Sequence, residues 1–195
     1  MWWHKFQAEE QRLGQQTIEN TLPVLEFHAT EPILGYKAAY LCLDVRTGES
    51  YFSAKQFMGR YNIDSRAVCG MGENHDSVEL SCPCGFYMFK EKSDAVKAFQ
   101  TYKVNALLHV EAYGDIIEHQ LGYRASEQVV LKVSLTKTCW RCSNLATRLV
   151  VRKTWKQLGL HLLRPICGTC VRSSESAYTL GEVCSLLKTD VSFDL

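Results

Sequence analysis

Four of the chain's nine cysteines form two CxxC pairs, Cys139–Cys142 in CWRC and Cys167–Cys170 in CGTC, with 24 residues between the pairs. A CxxC step is a tight turn that brings two thiolates onto one ion. Two such turns supply the four ligands of a closed tetrahedral zinc site. Four sulfurs leave no open coordination position, so the expected zinc is structural and does no chemistry of its own. The competing use of a CxxC, as a redox pair, belongs at a helix start in a βαβ context, and two facing copies would be an unusual way to build one.

A second group precedes it, in the order Cys69-x5-His75-x6-Cys82-x-Cys84. Cys69, His75, Cys82 and Cys84 make a Cys3His set, a normal complement for structural zinc. The CxC step lies in SCPCGFYMFK, where Gly85 lets the chain bend past a metal before an apolar run begins. The alternatives are three reduced, partly buried thiols, or a redox pair closed as a strained ring. Nine cysteines in a chain without a signal-like N-terminus favour metal, because the cytosol keeps thiols reduced and an odd count leaves a disulfide framework incomplete. Cys42 and Cys184 stand apart and read as small buried apolar residues. The expectation is two structural zinc ions in a cytoplasmic protein.

The charge is polarised. The formal net charge is only +1, yet residues 128–174 hold no Asp or Glu and nine of the 22 basic residues. They are Lys132, Lys137, Arg141, Arg148, Arg152, Lys153, Lys156, Arg164 and Arg172. The other thirteen cations face all 21 acids, a balance of −8. Four zinc-bound thiolates lower the segment from +9 to about +7. A basic stretch of this kind attracts phosphates and releases counterions. Trp140 and Trp155 lie among the charges and could stack on bases, although core packing is the plainer use for at least one of them. The candidate nucleic-acid contacts are therefore Arg141, Arg148, Arg152, Lys153, Lys156, Arg164, Arg172, Trp140 and Trp155. An acidic protein surface is the alternative partner. No run approaches eighteen apolar residues, so no transmembrane helix is expected.

Catalytic signatures are missing. EAYGDIIEHQLGYR gathers Glu111, Asp115, Glu118, His119, Tyr123 and Arg124, which could hide an acid–base pair. No GxSxG, P-loop or dinucleotide fingerprint accompanies it, and the deaminase pattern fails because no HxE precedes Pro83-Cys84 and no second cysteine follows. The plain reading is a charged hairpin face whose Arg124 pairs with a carboxylate.

These groups need elements to hold them. ILGYKAAYLCLDV, residues 33–45, reads as a strand that turns through RTGE into SYFSA. GFYMFK reads as a strand leaving the CPC turn. Ser93 is placed to cap a helix reaching about residue 102, with Ala95, Val96, Phe99 and Tyr102 on its apolar face. ALLHVEAYGDIIEH and GYRASEQVVLKVSL read as strands. TRLVVRKTW and LHLLRPI read as strand and return between the two CxxC pairs. Thr179 caps a short amphipathic helix, LGEVCSLLKTD. Residues 1–20 read as a polar helix or a partly ordered arm, and residues 57–68 are ambiguous.

The string His75-x6-Cys82-x-Cys84-Gly85-Phe86-Tyr87 resembles an HxxPxxxCxCGxYA motif of uncharacterised bacterial, largely actinobacterial, and phage proteins. A GYRAW-like strand precedes that motif and a GxxVEHExGYRAE-like segment follows it. Here the counterparts are Gly35-Tyr36-Lys37-Ala38-Ala39, Gly114-Asp115-Ile116-Ile117-Glu118-His119 and Gly122-Tyr123-Arg124-Ala125, so the resemblance spans about residues 33–130. The chain departs from it at Lys37, Val78, Met88 and Ser126. The resemblance implies that the Cys/His cluster is a designed feature of one domain, and it implies no activity.

The sequence thus predicts an α+β protein: a mixed, mainly antiparallel β domain with a zinc-supported loop, plus a small zinc-ribbon-like module. The expected division is an N-terminal helix or arm (1–30), a β-rich domain with the Cys/His cluster (31–135), the basic zinc-ribbon-like module (136–175) and a C-terminal helix (176–195). The expected function is non-enzymatic nucleic-acid binding. The alternatives are a protein-interaction adaptor or phage/host regulatory factor that docks an acidic partner, and a thiol redox sensor using Cys82 and Cys84.

Overall fold

The computed structural model describes residues 23–44, 46–53, 60–69, 78–155 and 160–195. Eleven strands and two helices follow in chain order: β1 (Pro23–Leu43), β2 (Ser50–Ser53), β3 (Arg60–Tyr61), β4 (Asp64–Arg66), β5 (Phe86–Phe89), α1 (Lys92–Tyr102), β6 (Ala106–His119), β7 (Gly122–Leu135), β8 (Arg148–Trp155), β9 (Leu160–Ile166), β10 (Ala177–Tyr178), α2 (Leu180–Leu187) and β11 (Asp190–Phe193). Among the described residues, all strand pairings are antiparallel except β11 on β7. The α+β expectation is met, among the described residues, as mostly antiparallel β structure with two helices.

The long strands β1, β6 and β7 form a meander, and β5 bonds to both β7 and β1, so the ladder β1–β6–β7–β5 closes on itself. Alternation along β1 sets what faces inward: Gly35, Lys37, Ala39 and Leu41 are buried, while Tyr36, Ala38 and Tyr40 turn outward to α1. Met88, Ile116, Leu108, Ala125 and Val133 complete the interior. Each large apolar side chain there contributes about 1.5–3 kcal/mol. Gly35 has no room for a side chain, because an added Cβ would sit 2.7 Å from Met88 Sδ. In β6, Gly114 takes φ +72° at a register shift, and the Asp115 N–H donates to Ser126 Oγ there.

Several boundaries differ from the sequence reading. Residues 23–30, assigned to the N-terminal arm, are part of β1, because their pairing with β6 continues back to Pro23. Residues 1–22 lie outside the described residues. Helix α1 starts at Lys92 after Glu91, and Ser93 lies in its first turn instead of capping it. Its buried residues are Ala95, Ala98 and Phe99. Thr179 does cap α2, in a full capping box with Glu182, but the helix ends at Leu187 with Lys188 left-handed. The chain then returns as β11, parallel to β7.

The β8–β9 hairpin of the expected module is not detached. Cys42 and Leu43 of β1 pair with Leu162 and His161 of β9. Asn105, 2% exposed, splices the joint: Leu41 N–H donates to its Oδ1 at 2.8 Å, and its Nδ2 donates to Leu41 O at 3.1 Å and Leu163 O at 2.5 Å. Leu149 and Leu163 share one apolar core with Leu41, Phe52 and Leu108. No described helix is long and apolar enough to cross a membrane.

Candidate metal centres and the basic face

An antiparallel hairpin brings its two ends together. Arg148 at the start of β8 pairs with Ile166 at the end of β9, so the turn before β8 and the turn after β9 must meet. Cys139 and Cys142 lie in the first turn, closed by Ser143 N–H donating to Cys139 O at 3.0 Å, with Ser143 at φ +62°. Cys167 and Cys170 bracket the second, a single 3-10 turn closed by Cys170 N–H on Cys167 O at 3.1 Å. All four sulfurs lie within 4.8 Å of one another, and Cys142 and Cys167 are 3.5 Å apart. A tetrahedral ion with bonds of about 2.3 Å spaces its sulfurs about 3.8 Å apart, so the donor set fits one. The hydrogen bond with Thr169 Oγ1 leads the influences that draw the Cys167 thiol down to about 6. Its bonds to the sulfurs of Cys142 and Cys167 push Cys170 up to about 12. Four packed thiols cannot all ionise unaided; a cation at their centre removes that conflict.

The second group assembles in the same way from Cys69, Cys82 and Cys84, whose sulfurs also lie within 4.8 Å of one another. Cys69 and Cys82 Sγ are 3.5 Å apart. The expected fourth ligand, His75, lies outside the described residues. Burial leads the causes that push Cys84 up to about 12, followed by its bond to Cys82. Gly85 takes φ +118°, and an added Cβ would stand 2.6 Å from Val78 Cγ1 and 2.9 Å from Arg124 Cγ. The bend anticipated at Gly85 therefore has no space for a side chain.

Among the described residues Arg124 makes no carboxylate pair of the kind the sequence suggested. It is buried, and its guanidinium donates to the carbonyls of Glu79 at 2.8 Å, Cys84 at 3.4 Å and Cys82. One side chain from β7 thus gathers the backbone that carries the CPC thiols. Arg124 lies opposite Tyr87 of β5, between Tyr123 and Ala125, whose partners Met88 and Phe86 belong to the main core. It therefore projects from the other face of the sheet toward the CPC loop, and GYRASEQVV carries no local signal for that role. The rest of the suspected acid–base group disperses. Glu118 pairs with Lys90 at 2.6 Å, Asp115 with His28 at 2.8 Å, and Glu111 accepts from Tyr113.

The basic residues divide into spent and unspent charges. Arg141 turns inward from the expected nucleic-acid contacts: it forms a bidentate pair with Glu175 and donates to Cys170 O, which ties the two CxxC turns together. Lys132 pairs with Asp194 at 2.7 Å. Register places Arg148, Arg152 and Arg164 together: Val150 faces Arg164, so all three arginines lie on the face that carries Val150 and Ile166 beneath Cys139 and Cys167. Trp140 is 40% exposed there, with the guanidiniums of Arg152 and Arg141 at 4.5 and 4.9 Å from its ring centre. Arg172 is exposed just beyond Cys170. The side chains of Lys153 and Trp155, and the whole of Lys156, lie outside the described residues.

No family model matches the chain, and no curated protein or solved structure matches it.

Proposed function

We propose that the protein is a zinc-stabilised, non-enzymatic nucleic-acid-binding protein whose β8–β9 face contacts the phosphate backbone. Zinc suits both cysteine groups, with Cys139, Cys142, Cys167 and Cys170 holding one ion in a zinc-ribbon-like hairpin. Cys69, Cys82 and Cys84, with His75 as the fourth ligand, hold the other. Both ions are structural, since neither set leaves an open position. The observation that carries the reading is the common face of Arg148, Arg152 and Arg164 around the first centre, with no ion pair to any of them among the described residues. Such a face binds phosphate through charge, and Trp140 offers an aromatic surface beside it.

The test is binding to mixed-sequence DNA and RNA across a salt series. A steep loss of affinity with salt is expected, and no binding at low salt overturns the reading. Pull-down with and without nuclease separates the alternative, an adaptor that docks an acidic protein: partners that survive nuclease support the adaptor.

A further inference from the structure

An open groove of about 420 Å³ lies at the rim of the first metal centre, lined by Arg148, Gly168, Val171, Arg172 and Ser173. The two arginines that line it have acids in the vicinity, but those acids are already committed. Glu175 gives its carboxylate to Arg141 in a bidentate pair and accepts from the Arg172 backbone N–H at 3.1 Å. Glu182, close enough to feel the charge of Arg148, accepts from the Thr179 N–H at 2.7 Å and hydroxyl at 2.9 Å in the α2 capping box. Among the described residues, neither Arg148 nor Arg172 makes a side-chain ion pair. The groove wall is also open at Gly168, where an added Cβ would meet nothing nearer than Thr147 Oγ1 at 3.9 Å, so backbone is within reach of a ligand. Ser173 adds a hydroxyl.

Two unspent arginines exceed what one backbone diester can neutralise, since an internal phosphate carries a single charge. A phosphate monoester carries about −1.5 to −2 and three acceptor oxygens, which matches two planar guanidiniums. We infer that this groove seats a terminal phosphate monoester of a nucleic-acid strand, giving the protein a preference for phosphorylated ends. This rests on the nucleic-acid reading of the same face and narrows it to a chemical group.

The zinc-loaded full chain is titrated with one single-stranded oligonucleotide bearing a 5′-phosphate, a 3′-phosphate or hydroxyls at both ends. Binding about tenfold tighter for a phosphorylated end is expected, the scale of one or two charge-assisted hydrogen bonds. R148Q/R172Q should erase the difference while retaining the zinc. Equal affinity for all three oligonucleotides overturns the groove proposal and leaves the broader reading standing. If none binds, the broader reading fails. The groove is then judged by inorganic phosphate, which must raise the Tm of the native protein and not of R148Q/R172Q; no shift overturns it. Should the double variant misfold, R172Q on the exposed turn must alone reduce the end preference, and an unchanged preference counts against the proposal.

Discussion

Lys37 points from β1 into the closed ladder, with its Nζ 4.4 Å from the Tyr61 ring centre, 4.9 Å from that of Phe86 and 3.3 Å from Gln128 Oε1. No carboxylate pairs with it among the described residues. Burial lowers its pKa to about 7. The unfolded chain holds this proton more tightly than the folded one, so the penalty is fully present below about pH 7 and is relieved as pH rises toward the ordinary lysine value. Stability should therefore climb between about pH 7 and 10, by an amount on the order of a few kcal/mol. Lys37→Met should flatten that climb relative to wild type, as measured by urea unfolding at several pH values; parallel curves for the two proteins would show that Lys37 is not the cause. Arg124 belongs to the same scale. Arg124→Gln leaves buried carbonyls of the CPC loop without their donor. The expected cost is about 2–4 kcal/mol, together with loss of metal from the second cluster alone, read by denaturation and elemental analysis.

At the scale of elements, the first centre depends on a hairpin and the second on a strand meeting a loop. Native protein should contain about two zinc ions per chain by elemental analysis. One would leave the CPC cluster without metal, and none would remove zinc from the account altogether. Cys167→Ser should lose one ion and loosen the β8–β9 hairpin while β1, β6 and β7 persist, which hydrogen exchange can resolve segment by segment. The joint between hairpin and meander rests on Asn105. Asn105→Ala removes three hydrogen bonds and orphans buried backbone groups of Leu41 and Leu163. The expected loss is about 2–4 kcal/mol in urea, with a change in m-value if the hairpin then unfolds separately.

At the scale of the whole molecule, polarised charge and continuous packing work together. The basic hairpin is hydrogen-bonded to β1 and shares its apolar core, so the face around the first centre is presented on a rigid support and not on a tethered module. Internal carboxylates neutralise Arg141 and Lys132, whereas Arg148, Arg152, Arg164 and Arg172 have no ion pair among the described residues and can meet an outside anion. If those four make the phosphate contacts, replacing Arg152 and Arg164 by Gln should reduce the slope of log affinity against log salt by roughly 1.4–1.8. An unchanged slope would place the contacts elsewhere on the surface.

Much of the cysteine clustering was legible because it is local. CxxC spacing fixes sulfur separation within one turn, Gly85 marks the bend after CPC, and the apolar alternation of TRLVVRKTW and LHLLRPI sets the hairpin that joins the two knuckles. The Thr179–Glu182 capping box could be half read for the same reason, through its Thr. What the tertiary structure alone decided depends on partners far away in sequence. Whether Arg124 meets a carboxylate or three carbonyls, whether Arg141 is spent on Glu175, and whether Lys37 faces a core or water are questions of long-range register and burial. The terminal β11 likewise exists only because β7 offers it an edge. Residue types and short spacings determined which atoms can bind a metal or a phosphate; non-local packing determined which of those atoms remain available to do it.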